Sequence, residues 1–149
     1  MAKNQPYLME GHITPHFQVW EFCNAEAKED VKLVFSPAFI EHVQMLEELR
    51  AVVNQPVNIT SGYRTASFNA EKGGDKNSAH LVGTATDVKK FKDIPDKFVE
   101  VIWRIICFQH KKIGGINFYT DGYHFCSNED RFGIKEFIVR DYRGTKNDW

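Results

Sequence analysis

The feature that most limits the fold is a pair of helical periodicities set among apolar runs too short to be helices. Ser36-Pro37, a capping residue followed by a proline suited to a first helical turn, precedes Phe39, Ile40, Val43, Leu46, Leu49 and Val53 at near-helical spacing. The pattern predicts a helix that ends near Asn54, ahead of Pro56. A second helix is predicted from about Asp93 through Cys107, with Pro95 early and Phe98, Ile102, Ile105 and Ile106 as its buried stripe. Around them, residues 57–60, 85–88, 116–119, 123–126 and 137–139 read as short strands separated by turns. Asp121-Gly122 is a hairpin signal, so the runs on either side of it should pair antiparallel. The strands cluster late and do not alternate regularly with helices, which predicts an α+β fold with a small sheet.

A chain of 149 residues, 42% hydrophobic and 26% charged, has ordinary globular composition and should bury roughly 70% of its unfolded surface. No repeat, low-complexity tract or linker divides it, so residues 1–149 are expected to form one domain, with about residues 1–10 as a loose tail. A formal net charge of -1 lacks the basic footprint of a nucleic-acid binder or of a membrane-surface helix. The three cysteines, Cys23, Cys107 and Cys126, are an odd count without short repeated spacing, and are expected to be thiols. The opening residues show no secretory signal and the longest apolar stretch is too short to span a bilayer. The expectation is a protein made in the cytosol, with no membrane or nucleic-acid partner.

The chemistry concentrates in Ser61-Gly62-Tyr63-Arg64 and in the stretch from Ser78 to Asp87, which contains His80. His80 and Asp87 on one continuous helix would be separated by about 10.5 Å of rise, too far to share an ion of zinc's size. Gly83 instead suggests a break, with His80 in a turn and Asp87 on the following strand, and such a bend can bring the two together. His124 on the late hairpin can add a third ligand and leave a position open, as in catalytic zinc sites. Blander uses exist for each residue: a surface histidine, a solvated aspartate and a core histidine.

The pattern SxHxxGxAxD over residues 78–87, the SGYR at 61–64 and the later His124 resemble the zinc D-Ala-D-Ala carboxypeptidase family. The segment from His12 to Phe22 is also similar to the N-terminal segment of its short, phage-type members, so the likeness covers about residues 12–125. The resemblance implies a small antiparallel sheet backed by helices, with one zinc ion in a cleft on the sheet. It implies hydrolysis of peptide bonds in bacterial peptidoglycan, with His80, Asp87 and His124 as the ligands.

The same resemblance supplies roles around the metal. Relatives carry an acidic base three residues before the last ligand, which falls here on Asp121, although Asp-Gly also suits a tight turn without any catalytic task. Arg64 matches an arginine that can hold a substrate carboxylate or a developing oxyanion, with Ser78 and Tyr63 beside the substrate. Many short members have an aspartate two residues after the last histidine, where this chain has Cys126. A thiolate at that position would close the coordination shell, and the alternative function is then a non-catalytic phage structural or wall-binding relative with structural zinc. A hedgehog-like binding domain on the same fold is a further alternative. Without a secretory signal, a wall hydrolase would act after release at lysis or as part of a virion.

The remaining candidates read as structural. Ser67 and Asn69 suit a turn, and the Gly73-Gly74-Asp75-Lys76-Asn77 segment lacks a phosphate-binding arrangement and reads as a flexible rim. His12, His16, His42 and His110 have no ligand-like spacing, and His42 is expected on the surface of the first helix.

Overall fold

The computed structural model describes residues 11–22, 36–62 and 79–148. The expected tail, Cys23, Tyr63, Arg64, Ser67, Asn69, Ser78 and the loop at 73–77 lie outside these described residues. A short hairpin opens the fold, β1 (His12–Thr14) with β2 (Phe17–Gln18), followed by a 3-10 turn over Val19–Phe22. Helix α1 spans Pro37–Val53 and α2 spans Asp96–Gln109. The main sheet has β3 (Ile59–Ser61), β4 (Ala85–Lys89), β5 (Gly115–Phe118), β6 (Gly122–Cys126) and β7 (Ile138–Asp141), in the order β3-β4-β6-β5-β7. The α+β reading holds, with helices on one face of a small sheet. The outermost pair departs from the antiparallel expectation, because β7 runs parallel to β5. None of the helices among the described residues is long and apolar enough to cross a membrane.

Helix α1 begins and ends where its sequence signals it should. The Ser36 hydroxyl accepts from the Phe39 N–H at 3.2 Å, Pro37 occupies the first turn, and Asn54 closes the helix in the left-handed region at φ 54°. Its inward stripe includes Phe39, Val43, Leu46, Leu49 and Val53 as expected, and also His42. The surface position expected for His42 is therefore corrected: its ring is fully buried.

Helix α2 keeps Ile106 of the expected stripe, with Ile102 half-buried against the core, but turns the rest of its buried face away from Phe98 and Ile105. Val99, Trp103, Ile106 and Cys107 face inward, while Phe98 is 62% and Ile105 49% exposed. Two apolar stripes compete on this helix, and the one carrying Trp103 packs against the sheet. The indole sits 5.0 Å from the Phe125 ring and donates its N–H to the Cys126 carbonyl at 3.1 Å.

Strand alternation then sorts the sheet into two faces. Val88, Ile116, Phe118, Tyr123 and Phe125 join the core with the helices. The intervening residues Asp87, His124 and Asn117 lie on the other face. Tyr119 N–H to Gly122 carbonyl, 3.0 Å, closes the antiparallel hairpin of β5 and β6 that Asp121-Gly122 signalled.

Candidate metal centre

His80 stands on a 3-10 turn over Ala79–Val82, and Gly83 ends that turn at φ 75°, a left-handed conformation that glycine adopts without strain. The Thr84 N–H bonds back to the Ala79 carbonyl at 3.1 Å, and the chain enters β4 at once. The turn thereby folds His80 over the strand that carries Asp87, as the break at Gly83 suggested. On the neighbouring strand, His124 is the direct cross-strand partner of Asp87.

The three side chains converge. Asp87 Oδ1 lies 3.3 Å from His80 Nε2 and 2.8 Å from His124 Nδ1. One ligand atom from each of the three falls within 4.8 Å of the others, so the group can hold a metal ion. The imidazole rings are 5.1 Å apart. His80 uses its other nitrogen on the Gly62 carbonyl, at 2.6 Å. A carbonyl only accepts, so Nδ1 carries the proton and Nε2 offers its lone pair to the cluster, the outer-sphere arrangement typical of metal-binding histidines. Gly62 has to be a glycine: a Cβ there would lie 2.8 Å from the Phe22 Cα.

Electrostatics agree with cation binding. Burial alone would raise the Asp87 carboxyl, but His80 and His124 beside it outweigh burial and hold it well below the usual carboxylate range. Two neutral nitrogens and one carboxylate oxygen form the donor set of catalytic zinc sites that keep an open position.

Cys126 does not belong to this group, although it shares a strand face with His124. Its thiol accepts from the Asn128 N–H at 3.4 Å, and burial followed by Glu129 pushes its ionisation well above the ordinary thiol range. Asp121 is exposed in the hairpin turn, and its carbonyl accepts from the Lys90 N–H at 3.3 Å.

Behind the cluster lies a polar contact that the spacing argument missed. His42 places Nδ1 at 2.7 Å from the Ser127 hydroxyl and Nε2 at 2.9 Å from the Thr86 hydroxyl, tying α1 to the residue before Asp87. Burial, aided by His124 and His80, pushes its pKa down to about 3, so the ring is neutral. The signal was available, because position 42 falls in phase with Phe39, Leu46 and Leu49 on the inward face. Asn117 was also legible as the polar residue in an otherwise apolar strand, opposite His124.

The family model described as Peptidase M15 matches residues 15–124 of the chain, ending on His124. No curated protein matches it.

Proposed function

Because the chain belongs to the peptidase M15 family, we propose that it hydrolyses peptide bonds in bacterial peptidoglycan stem peptides, with zinc held by His80, Asp87 and His124. The reading covers two modes of cutting, a D-Ala-D-Ala carboxypeptidase and an endolysin-type endopeptidase. The observation that carries it is the convergence of three ligand atoms from a turn and two adjacent strands, with His80 oriented by the Gly62 carbonyl.

Zinc in such a site supplies Lewis-acid activation of the scissile carbonyl and of water. The chain's own residues do the rest. Asp87 and His124 keep a fixed spacing through the strand register, and His80 presents Nε2 because its Nδ1 proton is engaged. Asp121, three residues before His124, is the proposed general base: its carboxylate takes the proton of the attacking water and passes it to the leaving amine. Arg64 is proposed to bind a substrate carboxylate or the developing oxyanion, with Tyr63 and Ser78 positioning the substrate. The enzyme would meet its substrate after release from the cell or as part of a virion.

The test is zinc content by elemental analysis, paired with peptide or D-Ala release from purified peptidoglycan, for the wild type, His80→Ala and Asp121→Ala. One zinc per chain and wild-type hydrolysis, with activity lost in both variants and zinc lost in the first, is the expected result. Zinc without hydrolysis would point to the non-catalytic wall-binding relative, and absence of zinc would remove the basis of the reading.

A further inference from the structure

The sheet register extends the metal centre sideways. Asp87 pairs with His124, His124 with Asn117, and Asn117 with Arg140, so these residues form one row across β4, β6, β5 and β7. Adjacent strands are about 4.8 Å apart, which puts Asn117 about 5 Å and Arg140 about 10 Å from His124 along the row. A cavity of about 260 Å3 opens over this part of the sheet, walled by Asn117, His124, Cys126, Glu129, Arg140 and Tyr142 among others. Cys126, Glu129, Arg140 and Tyr142 lie beyond the residues that match the family model.

The hydrogen-bond inventory sets what this cavity can receive. Arg140 donates to both Glu129 oxygens, at 3.2 and 3.3 Å, and to the Asn117 side-chain oxygen at 3.4 Å. The Glu129 carboxylate is thus occupied, and its side chain is only 4% exposed. Gly115 makes room for it, since a Cβ there would lie 2.8 Å from Glu129 Oε2. With its oxygen engaged by Arg140, Asn117 has its amide N–H donors remaining among the described residues, and the guanidinium, 31% exposed, has donors beyond these contacts there. The Glu129 and Asn117 side-chain oxygens each meet Arg140 while donors of Asn117 and Arg140 remain, so the complement of this part of the wall is an acceptor such as a carboxylate.

We propose that Asn117 and Arg140 form a carboxylate-binding subsite beside the metal centre, taking a free carboxylate of the peptide substrate one or two residues from the scissile bond. Its role in catalysis rests on the peptidase reading above; its preference for a carboxylate does not. Glu129 is a positioning residue here: it fixes the guanidinium through two contacts and leaves the outer donors to the ligand.

The test uses the zinc-loaded chain and two probes of equal size, N-acetyl-D-alanine and N-acetyl-D-alaninamide, in amide NMR titrations that report dissociation constants and the residues perturbed. The carboxylate probe is expected to bind at least about tenfold tighter, the range of a charge-assisted contact, with Asn117 and Arg140 among the signals that move. Asn117→Asp leaves the Glu129–Arg140 pair in place but pairs with the guanidinium and repels an anion, so the ratio of the two affinities should fall towards one. Arg140→Lys should reduce the ratio as well, and the amide spectrum of each variant verifies its fold. Equal binding of both probes by the wild type would overturn the proposal, as would an unchanged ratio in a folded Asn117→Asp, which would assign the carboxylate to the metal or to Arg64. Peptidoglycan release is measured in parallel: its absence with the ratio intact overturns the peptidase reading alone, and its presence without a ratio overturns the subsite alone.

Discussion

Asp87 and His124 face each other as direct cross-strand partners, with Asp87 Oδ1 2.8 Å from His124 Nδ1. Backbone pairing, rather than a flexible loop, therefore sets the distance between two of the three candidate ligands. Asp87→Asn keeps the shape and one acceptor oxygen but removes the charge. Zinc affinity should fall by at least about 100-fold, since a neutral amide is a poor ligand and the anionic donor is lost. Competition with a chelator of known affinity measures this, and wild-type affinity in the variant would refute the assignment of Asp87.

Gly62 lies where the chain leaves β3 and supports His80. Gly62→Ala would push a Cβ to 2.8 Å from the Phe22 Cα and 2.9 Å from the Phe22 carbonyl oxygen, both backbone atoms. A cost of about 1–3 kcal/mol in folding stability is expected, together with weaker zinc binding because the carbonyl that orients His80 is displaced. Urea unfolding with and without zinc separates the two effects; a variant as stable as the wild type would show that the segment shifts freely.

Cys126 sits on the ligand face without joining the ligand group. Cys126→Ser should leave zinc at one per chain, with affinity close to that of the wild type. Loss of zinc from a folded Cys126→Ser would revive a closed, four-ligand site.

The buried His42 makes acid sensitivity predictable in sign. Its folded pKa is depressed from 6.5 to about 3, so between those values the unfolded chain carries a proton that the folded chain does not. Stability contributed by neutral His42 is present above about 6.5 and declines as pH falls, by up to about 1.4 kcal/mol per pH unit. Asp87, also depressed, acts in a lower window, starting below its ordinary value of 3.8. Urea melts of the metal-free chain from pH 7.5 to 4.5 should show the difference between wild type and His42→Gln shrinking on acidification. A difference independent of pH would mean that His42 takes up a proton without unfolding the chain.

The stripe on α2 can be checked by a pair of substitutions. Trp103 is fully buried, so Trp103→Ala should cost about 3–5 kcal/mol, and Trp103→Phe less, although it leaves the Cys126 carbonyl without its indole donor. Phe98→Ser, at a residue 62% exposed, should change stability by about 0.5 kcal/mol or less. Equal costs at both positions would contradict the packing of this helix.

Local interactions made much of this legible in the sequence. The Ser36 cap, Pro37 and Asn54 bound α1 because capping depends on residues a few positions apart. The break at Gly83 and the hairpin before His124 are likewise short-range, but it was the family resemblance that singled out His80, Asp87 and His124 together, and the β4–β6 pairing, 37 positions apart in the chain, that joins the last two. Of the buried stripe of α2 only Ile106 was legible in full, because two apolar stripes satisfy the same periodicity and packing of Trp103 against Phe125 selects between them. The inward phase of His42 was legible, but its polar partners, the hydroxyls of Thr86 and Ser127, lie far along the chain and came only with the tertiary structure. The row from Asp87 to Arg140 depended on β7 returning parallel beside β5, and no local signal encodes which strand a distant segment will join. Short-range chemistry thus determined the elements and a motif shared with a known family pointed to the candidate ligands, whereas long-range strand pairing and packing decided how those ligands meet and what surrounds them.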